Sequence, residues 1–212
     1  MVFDPHFGYE QWIDYILDVP MYFLHRGDDY IDVAGLSFRD FMKGDLPGFG
    51  GELPTLEDFE DHITIAFPEV RLKGYLEMRG ADGGPWSNIC ALPALWVGLL
   101  YDEDALAKAE ALAESITAKD VLNARLDVAK NGLRAKIAHY DVRHLAAELV
   151  QIAKDGLAAR AITDDEGRDE TKFLKPLEEV IATQKTPADV MLDLFHGAWD
   201  GDINHVFRER HY

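Results

Sequence analysis

Apolar positions recur along the chain with two periods. Tyr9, Trp12, Ile13 and Ile16 lie at helical spacing, which predicts a helix over 9–18. Pro20 cannot continue it, having no N–H and a ring that clashes with the preceding turn. Met21–His25, the turn residues Arg26 to Asp29, and Tyr30–Val33 read as a hairpin. The stretch GDLPGFGGELP at Gly44–Pro54 is too rich in Gly and Pro for helix or strand and reads as a loop. Thr55, with Asp58 three residues on, predicts a capping box opening a helix that runs to about Ala66, ahead of Pro68.

Alternation is clearest in VRLKGYLEMR. Val70, Leu72, Leu76 and Met78 fall on one face; Arg71, Lys73, Tyr75, Glu77 and Arg79 fall on the other. The period of two predicts one half-buried strand over 70–79, apolar side inward, with Tyr75, Glu77 and Arg79 lining a concave face. Gly80–Gly84 reads as a flexible loop, and Pro85 suits the first turn of a helix through Tyr101, kinked at Pro93. Beyond Asp102 the chain turns to Ala, Leu, Glu and Lys, predicting helices near 104–115, 117–130, 142–160, 171–183 and 187–196. Asp164–Glu170 reads as a charged loop, and Gly197–Tyr212 has no assignable pattern. The expected fold class is α+β: a sheet-containing part over 1–101 and a helical region over 102–212 packed on it. The polar residues of the helical part are dispersed at solvent-facing spacing, which makes it scaffold.

Composition narrows the function. With 48% hydrophobic and 28% charged residues among 212, the chain has the balance of a folded globular protein. Its 39 acidic against 21 basic residues give a net charge of −18, which argues against a nucleic-acid backbone or an anionic membrane as partner. The opening MVFDPHFGYEQWIDY has neither the basic nor the apolar region of an export signal, and no window holds the roughly 18 apolar residues of a membrane span. A single cysteine, Cys90, forms no intramolecular disulfide and fits a reducing cytoplasm, as a small buried hydrophobe on a helix. The eight histidines show no HExxH, Ser37 and Ser87 have no triad signature, and neither a P-loop nor GxGxxG is present.

The candidate chemistry lies on the alternating segment. Glu77 and Arg79, two apart on a strand, project together with Tyr75 behind them. A carboxylate there can hold a divalent cation, and a guanidinium can grip phosphate or carboxylate in a fork. Alternation alone favours an ordinary solvated sheet face with a cross-strand ion pair. Gly80, Gly83 and Gly84 then allow close backbone approach to a ligand, with Asp82 among them and Trp86 beyond; any strand-to-helix turn shares that composition.

YLEMRGADGGPW at Tyr75–Trp86, continuing as ALPALWVGLLYDEDAL at Ala91–Leu106, resembles the plant-type glutamate–cysteine ligase family, also found in many proteobacteria. FGYEQWIDYILDVPMYF at Phe7–Phe23, LSFRDFM at Leu36–Met42, GELPTLEDFEDHITIAFPEVRLK at Gly51–Lys73 and IAKDGL at Ile152–Leu157 agree in order. The resemblance covers most of the chain and is densest over Gly51–Leu106. It implies ATP-dependent joining of the γ-carboxylate of glutamate to the amine of cysteine, the first step of glutathione synthesis. It also implies a curved antiparallel sheet flanked by helices, related to glutamine synthetase, of which this chain is the sheet portion followed by a helical C-terminal half. By the same resemblance Glu77 is the Mg²⁺ ligand, Arg79 the catalytic arginine facing the transferred phosphoryl group, and Tyr15 and Tyr22 a substrate-pocket wall. ATP and Mg²⁺ are the implied cofactors. Arg39 reads as a surface helix residue before a second pocket charge.

The departures from the family are equally specific. Members are about twice as long, so the chain is expected to be a C-terminal fragment whose missing N-terminal half holds the other magnesium carboxylates and much of the nucleotide and glutamate sites. Glutamate and cysteine are the implied substrates, with that N-terminal half or a second copy of the chain as protein partner. Plant members carry regulatory cysteines where this chain has Val33 and Gly48, so that redox switch is absent. A noncatalytic half-protein, or a binding module needing a separate N-terminal chain, is the alternative class. A metal-dependent hydrolase or kinase on the same face is a third, without a second carboxylate pair or phosphate loop to support it.

Overall fold

A computed structural model of the protein describes residues 6–72 and 74–209. Lys73, expected on the polar strand face, and His211 lie outside them. The chain forms two compact units, residues 1–81 and 82–212, and its class is α+β, with small antiparallel ladders among helices.

In the first unit α1 spans Tyr9–Asp18 and buries Trp12 and Ile16, as its spacing predicts. The hairpin β1 (Phe23–Arg26) and β2 (Asp29–Asp32) turns at Gly27, where φ of +65° suits glycine. A short helix α2 (Phe38–Phe41), capped by Ser37, follows and was not legible as an element. Then α3 (Leu56–Thr64) opens with the expected capping box of Thr55 and Asp58. Met21, Leu24, Val33, Phe38, Phe41 and Leu46 form the core of this unit, each large side chain contributing about 1.5–3 kcal/mol on burial. Val33, one of the two positions expected to carry a regulatory cysteine, is thus an apolar core residue.

The strand expected over 70–79 is instead a hairpin. β3 (Val70–Leu72) and β4 (Leu76–Met78) pair antiparallel, Val70 opposite Met78, Arg71 opposite Glu77, Leu72 opposite Leu76. The Arg79 N–H extends the ladder to the Glu69 carbonyl at 2.8 Å. Facing residues of an antiparallel pair project to the same side, and each pair here has the same parity in sequence. Folding back therefore leaves the faces sorted as the alternation sorts them.

The expected burial is reversed. Val70 is 45% and Leu76 62% exposed, whereas Arg71 is 7% exposed. The cause is the end of α3: the carbonyl of Thr64, with no partner inside its helix, accepts from Arg71 Nη1 at 3.0 Å. The ring of Phe67 lies 5.7 Å from the Arg71 guanidinium and 5.0 Å from that of Arg79. Arg71, Glu77 and Arg79 thus find partners on the polar face, while Val70 and Leu76 of the apolar face, and Tyr75 of the polar one, are exposed.

In the second unit α4 (Trp86–Leu100) runs on through Pro93. It is followed by α5 (Glu103–Ala113), α6 (Ala118–Asn131), a two-residue ladder of β5 (Lys136–Ile137) with β6 (Tyr140–Asp141), and α7 (Val142–Arg160). Next come α8 (Lys175–Thr183), α9 (Pro187–His196) and α10 (Asn204–Glu209), the last in the stretch without pattern. Ala94, Leu99, Ala153, Leu157 and Leu174 make its core, so α4, grouped with the sheet by composition, packs with the helices. Among the described residues no helix is long and apolar enough to cross a membrane.

Candidate functional site

The strand β4 and the residue after it carry Glu77 and Arg79, and the hairpin brings a third charged group to them. Arg71 Nε donates to Glu77 Oε2 at 2.7 Å, and Arg79 Nη1 donates to the same oxygen at 3.0 Å. The two guanidiniums share Phe67 as an apolar platform, at distances where a ring face attracts a cation. Hydrogen bonds from Arg71 and then Arg79 hold the Glu77 carboxyl below its ordinary range, against the opposing effect of desolvation. The carboxylate is therefore ionised at neutral pH.

Exposure differs across the trio. The Arg71 side chain is 9% exposed, and those of Glu77 and Arg79 are 29% and 28% exposed. Among the described residues both hydrogen bonds to Glu77 fall on Oε2, leaving Oε1 on the accessible side chain able to meet a ligand. Chemically the group is a net cationic fork with one available anionic oxygen.

That donor set fits Mg²⁺ in one respect. Magnesium is commonly held by one or two carboxylates and completes its shell with water and phosphate oxygens, and Glu77 supplies one such oxygen. Among the described residues no three His, Cys, Asp or Glu side chains converge on a metal position, so the remaining ligands come from outside this set.

The other sequence-derived candidates lie apart from this trio in their contacts. Tyr15 packs in the cluster of Trp12, Ile16 and Ala66, its ring 5.5 Å from that of Trp12. Tyr22 is exposed, and its carbonyl accepts the Val33 N–H. Arg39 binds Asp18 through Nε at 2.6 Å and Asp14 through Nη2, tying α2 to α1, the surface role expected of it. Tyr75 is exposed on the hairpin connection. In the second unit, Trp86 is exposed at the start of α4 and Asp82 bonds the N–H of Gly83.

Arg71 and Phe67 were missed by the sequence reading. Parity already set Arg71 on the face of Glu77, but a single extended strand would hold them six residues apart. Only the fold-back makes them neighbours. Phe67 gives no periodic signal, since it sits in the irregular link between α3 and β3.

Residues 1–209 match glutamate-cysteine ligase family 2 (GCS2). The chain is 50% identical over 211 residues to the chloroplastic glutamate–cysteine ligase of Solanum lycopersicum, covering all of this chain and 39% of that protein. It is 49% identical to the one from Medicago truncatula, with 40% of that protein covered, and 47% identical to the one from Arabidopsis thaliana, with 39% covered. The chain thus spans about two fifths of the length of these relatives.

Their names correct one expectation. Each is named chloroplastic, which contradicts the expected cytoplasm. The lone Cys90 argued only against a disulfide framework, and that does not distinguish one reducing compartment from another. The match over 1–209, with about half of all positions identical, shows that the chain belongs to glutamate–cysteine ligase family 2.

Proposed function

We propose that the chain is part of a glutamate–cysteine ligase and carries one charged edge of its phosphoryl-transfer site. The observation that supports this is the pair of Glu77 on β4 and Arg79 just after it, joined at 3.0 Å with each side chain under one third exposed, and with both arginine hydrogen bonds among the described residues falling on the same carboxylate oxygen. In the proposed reaction the γ-carboxylate of glutamate attacks the γ-phosphorus of ATP, and ADP leaves. The amine of cysteine then attacks the acyl carbon of the resulting acyl phosphate, and phosphate leaves as γ-glutamylcysteine forms.

Within that reaction Arg79 faces the oxygens over which charge spreads during transfer, its planar donors matched to them. Glu77 offers Oε1 as one ligand of Mg²⁺. Bound Mg²⁺ supplies positive charge to the phosphate oxygens. Tyr15 and Tyr22 belong to the substrate-pocket wall in this reading, and β3–β4 is this chain's contribution to the curved antiparallel sheet of a glutamine-synthetase-like ligase. The protein partner is the remaining length of the relatives, or a second copy of the chain.

The two-fifths coverage favours one second reading, a noncatalytic half-protein active only with a separate chain. Both are tested by measuring ADP release that requires glutamate and cysteine together. The 212-residue chain is compared with the same chain joined to the remaining length found in its relatives. Release from the joined chain and little from the short one is expected; none from either overturns the ligase reading.

A further inference from the structure

We propose that Arg71 is a positioning residue: its buried guanidinium orients the Glu77 carboxylate so that Oε2 faces the two arginines and Oε1 is presented to a divalent cation. The proposal rests on the ligase reading of Glu77 and Arg79, and it assigns a role to a residue on which that reading does not depend.

Arg71 is built as an anchor. It is the innermost of the three charged side chains, and its donors diverge onto two acceptors of different kinds. Nε donates to Glu77 Oε2 at 2.7 Å, and Nη1 donates to the Thr64 carbonyl at 3.0 Å. The carbonyl is main chain at the end of α3, so the guanidinium is referenced to a helix and not to another mobile side chain. Phe67 backs it from one side at 5.7 Å. Glu77, by contrast, is a flexible side chain on a three-residue strand with its apolar neighbour Leu76 in solvent. The carboxylate is held by Arg79 beside it and by the cross-strand bond to Arg71, and it is Arg71 that is tied to main chain at the end of a helix.

The consequence reaches Arg79 through the same oxygen. Because both arginines donate to Oε2, locating that atom locates the Arg79 guanidinium as well, with Phe67 as the common platform. Carboxylates that bind metals are commonly held by hydrogen bonds of this sort, and losing such a bond costs about 10–100-fold in metal affinity. Lysine at 71 keeps the charge but loses the planar, divergent pair of donors.

The test uses the complete ligase chain with Mn²⁺ as probe in the presence of ADP. Free and bound Mn²⁺ are distinguished by electron paramagnetic resonance, and thermal midpoints and the kcat and KM split are measured in parallel. Arg71→Lys is expected to weaken Mn²⁺ binding about tenfold or more and to lower kcat, with KM for cysteine unchanged. Phe67→Leu, at an exposed position where folding is not at stake, is expected to weaken Mn²⁺ binding at least about threefold with an unchanged midpoint. If Glu77→Gln abolishes Mn²⁺ binding while folded Arg71→Lys and Phe67→Leu bind it like wild type, the positioning role is overturned and the site reading stands. If Glu77→Gln itself binds Mn²⁺ like wild type, the metal reading fails and the proposal fails with it.

Discussion

Gly98 of α4 and Gly156 of α7 meet backbone to backbone. A Cβ on Gly156 would stand 2.0 Å from the Gly98 carbonyl oxygen, and one on Gly98 would stand 2.2 Å from that of Ala153. The obstructing atoms are main chain, so no rotamer change relieves them. Helix propensity alone favours alanine over glycine by about 0.8–1.0 kcal/mol, yet here packing reverses the sign. Gly98→Ala and Gly156→Ala should each destabilise the second unit by about 1–3 kcal/mol or more. Gly80→Ala, with no atom within 4 Å of the added carbon, should change stability by less than about 0.5 kcal/mol. Urea unfolding of the three variants checks both statements.

Arg26 and Asp58 link β1 to α3. Nη1 of Arg26 donates to Asp58 Oδ1 at 2.6 Å, while Asp58 Oδ2 accepts from the Thr55 N–H as half of the capping box. The Asp58 side chain is almost fully buried. Burial raises its pKa, but hydrogen bonds from Arg26 and Thr55 outweigh that and bring it below the ordinary value. Arg26→Ala leaves the carboxylate buried with only its capping partners and should cost at least about 1.5–3 kcal/mol. Thr55→Ala should cost about 0.5–2 kcal/mol. Thermal midpoints that do not move in Arg26→Ala would show that the pair adds nothing to stability.

His62 sets a pH limit on the first unit. It is buried, its ring stacks on Phe38 with centroids 4.4 Å apart, and its Nε2 lies 2.9 Å from the Ile16 carbonyl. A carbonyl only accepts, so Nε2 carries the hydrogen. Burial lowers the pKa from about 6.5, with the carbonyl contact opposing. The unfolded chain therefore binds the proton before the folded one does. The contribution is fully present above pH of about 6.5 and is lost as pH falls from there through the lowered folded value. Stability measured from pH 7.5 to 5 should fall in wild type and fall less in His62→Phe; parallel curves would remove His62 as the cause.

Glu77 and Arg79 decide the functional reading. In a complete ligase chain Arg79→Lys loses the planar fork and Glu77→Gln loses the anionic oxygen, so each should reduce turnover well over about tenfold. Both side chains are partly exposed and contribute little packing, so thermal midpoints should shift far less than rates. A plain surface ion pair, worth about 0–1 kcal/mol, predicts small effects on stability and nearly none on turnover. Wild-type turnover in both variants would withdraw the pair from the site.

What the sequence determined by itself is local. The spacing in α1, the Thr55 and Asp58 box of α3, the bounds of α7 at 142–160 and of α9 at 187–196, and the Gly and Pro loop at 44–54 were all legible, because each depends on residues within a few positions of one another. So was the sorting of residues 70–79 into two faces. Tertiary structure decided what that sorting meant. A period of two is the same for one long strand and for a hairpin whose partners share parity, so alternation could not reveal the fold-back. Nor could it say that Arg71 turns inward, since that depends on the Thr64 carbonyl, which has no partner inside its helix and accepts from Arg71, and on the Phe67 ring beside it. The burial of Arg71, its bond to Glu77 and the contact of Gly98 with Gly156 all join atoms distant along the chain or brought together by a turn. Their energies come from neighbours that only the folded backbone supplies.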